Sequence, residues 1–91
     1  MTRFYVPQPN PFRAALAIRY SLAAEGQVLL RVHDLTGRVV RTLAACVMRP
    51  GRYTVNWNAN DDRGRELARG VYFCRFSAAG CRASEKLVLQ R

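Results

Sequence analysis

The sequence predicts an all-β fold, a sandwich of about seven short antiparallel strands. Two observations support this prediction. Large apolar side chains alternate with small or polar ones in several segments, which is the period of a half-buried strand. Turn-forming residues separate these segments about every 8 to 15 residues, and no segment has a convincing helical period.

The size and composition of the chain fit a single domain. Its 91 residues are 49% hydrophobic, which is enough to form a core. We expect one domain over residues 1–91, with residues 1–12 as an extended proline-rich linker and residues 13–91 as the sandwich. No apolar run reaches the length that crosses a bilayer, so we expect neither a membrane span nor a signal peptide in this chain.

The first strand is predicted at residues 16–22, where Ile18 and Tyr20 alternate with smaller or polar residues. The alanines of this segment would also suit a helix, so propensity leaves it ambiguous. The second strand follows at residues 28–32, where Val28, Leu30 and Val32 alternate with other side chains.

A tight turn is predicted at residues 34–38, because Gly37 accepts a positive φ and Asp34 can bond neighbouring amides. A third apolar segment covers residues 39–47, where alanines again make a helix conceivable. Pro50-Gly51 then interrupts the chain.

A fourth strand is predicted at residues 53–57 and a loop at residues 58–64, which consists largely of Asn, Asp and Gly. Residues 71–76 and 81–89 form the last two strands, a hairpin joined by residues 77–80. The expected core anchors are Ile18, Tyr20, Leu30, Val32, Tyr53, Val55, Trp57, Tyr72 and Phe76.

The net charge of +9 raises the question of nucleic acid. The basic residues are nearly all arginines and are spread along the chain without forming a block. The period-two pattern also places the aromatic rings in the core rather than on a surface that could stack on bases. We therefore expect no specific nucleic-acid binding, only loose, salt-sensitive adsorption to polyanions.

Residues for catalysis or metal binding are scarce. His33 is the single histidine, and it falls among outward strand positions beside a turn, so we expect no enzyme and no cofactor. Asn58, Asn60 and Asp62 resemble the start of a calcium loop, but Gly64 is misplaced by one position and Arg69 stands where an acid is needed. We expect no metal site.

The three cysteines, Cys46, Cys74 and Cys81, fit neither a zinc site nor a full disulfide framework. They are interpreted as packing residues or free thiols, and one disulfide with a leftover cysteine stays open as an alternative.

Two prolines stand directly before the first apolar segment. Pro9 and Pro11 bias the residues before them, Gln8 and Asn10, toward extended backbone. Phe12 can then pack as a plug at the end of the sandwich. Pro9, Asn10, Pro11 and Phe12 are therefore the expected boundary between linker and domain, although an ordinary proline-rich start of a first strand explains them equally well.

Several segments, taken in order, resemble a known family. They are Pro9-Asn10-Pro11-Phe12, residues 18–22 (IRYSL), residues 32–43 (VHDLTGRVVRTL), residues 50–57 (PGRYTVNW), Gly64-Arg65, residues 70–73 (GVYF) and residues 86–89 (KLVL). Together they resemble the C-terminal sorting domain of type IX secretion substrates, which is similar to the immunoglobulin-like domain of the flagellar hook-capping protein. The sequence departs from that family at residues 13–15 and at His33, a position that is usually aromatic in the family.

The resemblance implies an immunoglobulin-like sandwich, and therefore strands rather than helices in the two ambiguous segments. It implies that the domain is a folded sorting signal on a larger secreted precursor, which passes through the periplasm to the cell surface. The implied partners are the outer-membrane translocon and a sortase-like enzyme. The alternative function is a structural or adhesive immunoglobulin-like module, such as a hook-cap-type assembly domain. The oligomeric state stays open.

The last residues are the expected recognition segment for the translocon. Their alternating pattern allows one face to pack while the strand edge pairs with a partner by strand addition. The candidate recognition residues are Lys86, Leu87, Val88, Leu89, Gln90 and Arg91.

Overall fold

The computed structural model of the protein describes all 91 residues and is built from β-strands connected by turns and loops. The seven strands confirm the all-β prediction. They are β1 (Arg3–Phe4), β2 (Leu16–Leu22), β3 (Gly26–His33), β4 (Val39–Met48), β5 (Gly51–Trp57), β6 (Gly70–Ala78) and β7 (Cys81–Leu89).

The strands form two sheets. The three-stranded sheet has the order β1-β2-β5, and the four-stranded sheet has the order β4-β3-β6-β7. All pairings between these strands are antiparallel. The chain therefore changes sheet after β2, after β4 and after β5, as is usual in a sandwich of two packed sheets. Nothing helical in the fold has the length and apolar character that a bilayer-crossing helix needs.

Both segments that the alanines left ambiguous are strands. β2 pairs with β5 along its whole length, from Leu16 opposite Trp57 to Leu22 opposite Gly51. β4 pairs with β3 along nearly all of its length, with two irregularities in register. A neighbouring strand supplies each segment with ladder hydrogen bonds, and packing against the core buries alternate residues of β2 and Val40 of β4. Together these outweigh the modest helix propensity of alanine.

The core lies between the two sheets and contains 17 buried hydrophobic residues. Tyr20 of the three-stranded sheet meets Phe76 of the four-stranded sheet with 5.1 Å between ring centroids, so these two rings join the layers. Trp57 is only 2% exposed, and its indole N–H donates to the carbonyl of Asn60 over 2.9 Å. Burial of aromatic rings of this size dominates the stability of a small core.

Two turns at one end of the fold share the same construction. Asp34 and Asp61 each accept hydrogen bonds through Oδ1 from the amides two and four residues later, at 2.9–3.1 Å. In each turn a glycine three residues after the aspartate, Gly37 or Gly64, adopts a positive φ, 89° and 82°. The spacing Asp-x-x-Gly-Arg occurs in both places, and a direct comparison of the two loops in the sequence could have revealed it.

The hairpin between β6 and β7 is tighter than the sequence predicted. β6 continues to Ala78 and β7 begins at Cys81, so only Ala79 and Gly80 form the turn. Both adopt positive φ, 47° and 80°, the combination found in two-residue type I′ hairpins. Ser77 and Ala78, expected in the turn, are strand residues because they pair with Arg82 and Cys81.

Residues 1–12 differ from the extended linker that the prolines suggested. We call them the leading segment. Arg3 and Phe4 form β1 and pair with Ser21 and Tyr20 of β2, and residues 9–11 bend instead of extending. The peptide bonds before Pro9 and Pro11 are both cis. The segment packs on the sandwich because its apolar side chains find partners there; Phe4, for example, stacks on Phe76 with 5.1 Å between ring centroids.

Candidate functional site

The leading segment covers one half of the free edge of β7. The side-chain oxygen of Asn10 accepts from the amide of Val88 at 2.9 Å, and its side-chain nitrogen donates to the carbonyl of Lys86 at 2.6 Å. Phe12 continues this pairing: its amide donates to the carbonyl of Val88 at 2.9 Å, and its carbonyl accepts from the amide of Gln90 at 2.8 Å. The carbonyls of Lys86 and Val88 and the amides of Val88 and Gln90 are thus occupied.

The predicted boundary residues therefore have distinct roles in the structure. Asn10 acts through its side chain as a short substitute for a strand partner. Phe12 is 1% exposed and lies against Trp57, with 5.9 Å between ring centroids. Pro9 and Pro11 are exposed and flank Asn10. The plug suggested for Phe12 is thus a core contact within the sandwich, and the chain is already bound to the sheets before this residue.

The six candidate recognition residues divide into two groups. Leu87 and Leu89 are core residues, 0% and 2% exposed, and Val88 is half-buried. Lys86, Gln90 and Arg91 are exposed. Arg91 is nevertheless held in place, because it donates to the carbonyl of Ala59 at 3.1 Å and lies 3.5 Å from the Glu66 carboxylate. Strand addition at Lys86–Gln90 is blocked while Asn10 and Phe12 stay in place.

Of the nine expected core anchors, seven are buried and two, Tyr53 and Val55, are half-buried on edge strand β5. An edge strand has a neighbour on one side only, so the alternation of apolar residues cannot distinguish it from a central strand. Sequence reasoning did not single out as anchors the buried residues Leu16, Leu22, Val28, Val40, Ala59, Cys74, Ala78, Leu87 and Leu89.

The other edge of the four-stranded sheet is covered in a similar way. The amide of Asp62 donates to the carbonyl of Val40 at 3.0 Å, and its carboxylate accepts from the amide of Thr42 at 2.9 Å. The second half of β4 has no such cover, and Ala45, Cys46 and Val47 are exposed there. Each edge of this sheet is therefore covered over one half by residues from outside the sheet, Asp62 at β4 and Asn10 with Phe12 at β7, and open over the other half.

A basic groove of about 420 Å³ crosses the outer face of the four-stranded sheet. Arg31 of β3 lies opposite Arg75 of β6, and Arg75 lies opposite Ser84 of β7. Ser77 and Arg82 form the next cross-strand pair. The lining residues are Leu29, Arg31, His33, Arg75, Phe76, Ser77, Arg82, Ala83 and Ser84.

The arginines of the basic groove have no acidic partner. The two ion pairs of the structure join Arg38 to Asp34 and Arg91 to Glu66, and none of these four residues lines the groove. The Nε atom of Arg31 is buried without a hydrogen-bond partner. Sequence reasoning missed this cluster, because Arg31 is far in the chain from the hairpin that carries Arg75 and Arg82, and only the register of β3 against β6 brings it to them.

No cluster of three or more His, Cys, Asp or Glu side chains is arranged to hold a metal ion. Nδ1 of His33 lies 3.1 Å from the carbonyl of Gly37, to which it donates when it carries the proton. In the loop that resembles a calcium site, Asp61 bonds its own loop amides and Asp62 bonds β4, so both carboxylates are engaged by the chain.

The cysteines are free and lie in three different environments. Cys46 is exposed on β4, Cys81 is half-buried and Cys74 is buried. Burial, together with the nearby charge of Glu85, raises the pKa of the Cys74 thiol to about 12. Cys74 is therefore a packing residue and not a reactive nucleophile.

The aromatic residues that would have to stack on bases are mostly unavailable at the surface. Tyr20, Trp57 and Phe76 are at most 2% exposed and Tyr72 is 8% exposed. The phenol of Tyr72 donates to the carbonyl of Ala68 at 2.6 Å, and burial raises its pKa above the usual value. These four rings pack in the core and are not free to stack on bases.

The fold defines the class of the protein, an immunoglobulin-like β-sandwich. Residues 13–80 match the family of the FlgD Ig-like domain. The match covers most of the chain, and the protein belongs to this family. No curated protein matches the sequence significantly.

Two solved structures share the fold. One is dimeric latent PorU from Porphyromonas gingivalis, with a TM-score of 0.68 and 18% identity over 94% of this chain. The other is PorZ from the same organism, described as an essential surface component of the type-IX secretion system, with a TM-score of 0.67 and 23% identity over 97% of this chain. The chain spans only 9% and 11% of those proteins, so each likeness concerns one domain-sized part.

Proposed function

We propose that this chain is a non-catalytic sorting domain that directs a larger cargo protein through the type IX outer-membrane translocon to the cell surface. The observation that most favours this role is the fold likeness over 97% of the chain to a part of PorZ, a surface component of that secretion system. Membership of the FlgD Ig-like family agrees with it, since the sorting domains that the sequence resembles are themselves similar to that domain.

In this proposal the sorting signal is a folded surface that the translocon contacts. Lys86, Gln90 and Arg91 are the exposed members of the candidate recognition segment. The backbone of this segment is already paired with Asn10 and Phe12, so we propose contact through these side chains. The second expected partner is a sortase-like enzyme that separates the cargo from the sorting domain. The proposed location is the cell surface, which the protein reaches through the periplasm.

Export of a reporter tests the proposal. Residues 1–91 are fused behind a signal-peptide-bearing reporter in a bacterium with a functional type IX system, and the reporter is assayed on intact cells. We expect surface exposure that is lost in a strain without the translocon. A folded fusion that stays in the periplasm of the competent strain would contradict the proposal.

The recognition segment needs substitutions rather than a deletion, because loss of Leu87 and Leu89 would remove core residues. The double variant Lys86→Glu with Gln90→Ala changes only exposed side chains. We expect reduced export with an unchanged melting temperature. Arg52→Glu with Thr54→Ala, on exposed positions of β5, is the matched control; equal export from both variants would rule out the segment as the contact.

The family match also favours a second candidate function, a structural or adhesive immunoglobulin-like module of an extracellular or hook-cap-type assembly. The two functions differ in what the domain does to a foreign cargo. A sorting domain exports a reporter that has no other link to the system, whereas an assembly module leaves the reporter in the periplasm and associates with its own larger protein.

A further inference from the structure

The first half of β7 is an open strand edge. Lys86 and Val88 direct their backbone groups away from β6, as their bonds to the leading segment demonstrate. Backbone directions alternate along a strand, so Arg82 and Ser84 face the same way. These two residues lie beyond the reach of Asn10 and Phe12, and no other part of the chain pairs with their outward amides and carbonyls.

The charged side chains that line the groove beside this open edge are all arginines. Arg82 lies at the edge itself, Arg75 lies one strand further in, and Arg31 lies directly opposite Arg75. Like charges opposite each other on neighbouring strands are unfavourable, because their side chains leave Cβ atoms only about 5 Å apart. The nearest acid on β7, Glu85, is opposite buried Cys74 and so belongs to the other face of the sheet.

The remaining acids do not neutralise this face. Asp34 and Asp61 are engaged in their own turns, Asp62 binds β4, and Glu66 pairs with Arg91. Glu25 forms no ion pair and does not line the groove. The buried Nε of Arg31 also lacks an acceptor. The face therefore has both the charge and unused hydrogen-bond donors for an anionic partner, and guanidinium groups are well matched to carboxylates.

We propose that the open half-edge of β7 and the basic groove together bind an extended acidic peptide segment, which adds to the four-stranded sheet as a fifth strand beside Arg82 and Ser84. Side chains of an added strand alternate between its two faces. Carboxylates at every second position then lie over Arg82 and Arg75. The intervening residues of the peptide face the side of the sheet that carries Glu85. They are therefore neutral or basic, because an acidic side chain there would be repelled by Glu85.

A peptide fits this surface better than another polyanion would. A strand edge offers alternating amide and carbonyl groups at the repeat of a polypeptide backbone, and β-augmentation uses that match for affinity while side chains give specificity. Charge alone would attract any polyanion to a protein of net charge +9. The proposal concerns this binding only and does not depend on a role in export.

Binding of a synthetic peptide tests the proposal. The probe is a fluorescein-labelled peptide of four Glu-Val repeats, and fluorescence anisotropy is measured with the purified 91-residue protein at about 0.15 M salt. The comparison peptide has the same sequence with every residue N-methylated, which keeps the charge and removes the backbone donors in whichever direction the strand is added. We expect saturable binding of the first peptide and at least about tenfold weaker binding of the second.

Three variants separate charge from strand pairing. Arg75→Gln with Arg82→Gln removes two cations from the groove and is expected to weaken binding at least about tenfold. Ser84→Pro removes an outward amide, a change that edge strands accept, and is expected to weaken binding similarly. Arg19→Gln with Arg52→Gln makes the same charge change on exposed positions of the three-stranded sheet and should alter binding less than about twofold.

The melting temperature of each variant establishes that it is folded. In the unaltered protein, hydrogen exchange at the amides of Arg82 and Ser84 should slow when the first peptide binds. Absence of binding by that peptide would overturn the proposal. Equal binding of the methylated peptide or by Ser84→Pro, or full competition by heparin with no change in exchange, would also overturn it and leave only general adsorption of polyanions.

Discussion

At the residue scale, Asn10 links the start of the chain to its last strand. Its side-chain amide makes two hydrogen bonds to β7, a partner 76 to 78 residues away. A carboxamide can do this because it carries a donor and an acceptor side by side, as a peptide group does. The prolines on each side attracted notice in the sequence, yet the residue between them makes the contact.

We expect Asn10→Ala to destabilise the fold by about 1 to 2 kcal/mol, because two exposed hydrogen bonds to backbone are lost. The measurement is the free energy of unfolding in urea. Gln8→Ala is the control, since Gln8 pairs with Ala17 through its backbone and should lose little. Equal stability of Asn10→Ala and the unaltered protein would mean that the bonds contribute nothing.

The three cysteines should react in an order set by their burial. Cys46 is exposed and should be alkylated rapidly by iodoacetamide at pH 8. Cys74, with its pKa raised to about 12 by burial, has almost no thiolate at that pH. Mass spectrometry of the labelled protein should therefore find Cys74 modified only after unfolding in denaturant. Cys46→Ser should remove the fast phase, and rapid modification of Cys74 in the folded protein would contradict its burial.

At the element scale, the two aspartate turns fix the ends of strands. The Thr36 hydroxyl and neighbouring amides lower the pKa of Asp34, and the amides of Arg65 and Arg63 lower the pKa of Asp61. A lowered folded-state pKa stabilises the protein above the ordinary carboxyl value of about 3.9. That stability is lost as the pH falls through the folded-state pKa.

We therefore expect Asp34→Asn with Asp61→Asn to lower the melting temperature at pH 7, and to have a progressively smaller effect as the pH falls below about 3.9 and toward the lowered folded-state pKa values. Thermal unfolding across this range is the measurement. Glu25→Gln, a change of one exposed carboxylate, is the control. A difference in melting temperature that stays constant with pH would show that the charges of these turns contribute nothing.

The strands themselves followed from side-chain alternation, with errors where other rules decide. The hairpin turn was placed over four residues because serine and alanine were interpreted as turn residues, whereas Ala79 and Gly80 alone form it. β1 was missed because a strand of two residues is too short to show an alternation of buried and exposed side chains. Such short elements exist only through the strand that they pair with.

At the scale of the whole molecule, the leading segment is part of the sandwich. It contributes β1, the buried ring of Phe12 and the cover of β7. A domain boundary at residue 13 would remove all three. The family match begins at that residue, so the part of the chain with the family pattern is smaller than the structural unit.

We expect deletion of residues 1–12 to destabilise the domain by at least about 3 kcal/mol, because loss of a buried phenylalanine alone costs about 3 to 5 kcal/mol. Chemical denaturation of residues 13–91 is the measurement. Deletion of residues 1–2 is the control, since it removes two exposed hydrogen bonds only. Equal stability of residues 13–91 and the full chain would show that the leading segment is a linker after all.

The candidate surfaces illustrate how far sequence reasoning reaches. The alternation of apolar residues identified the terminal strand, but it could not reveal that Asn10 and Phe12 already occupy its edge. The arginines were interpreted as a scattered surface charge, which is correct along the chain. In space Arg31, Arg75 and Arg82 are neighbours, because antiparallel register places distant residues side by side.

The sequence by itself determined the all-β class, most of the strands and the identity of most of the core, because period-two burial is a local property of side chains. Only the tertiary structure decided which strand edges are open and which charges gather on one face. Those features depend on the pairing of residues far apart in the chain, and a pattern within one segment carries no information about its partner.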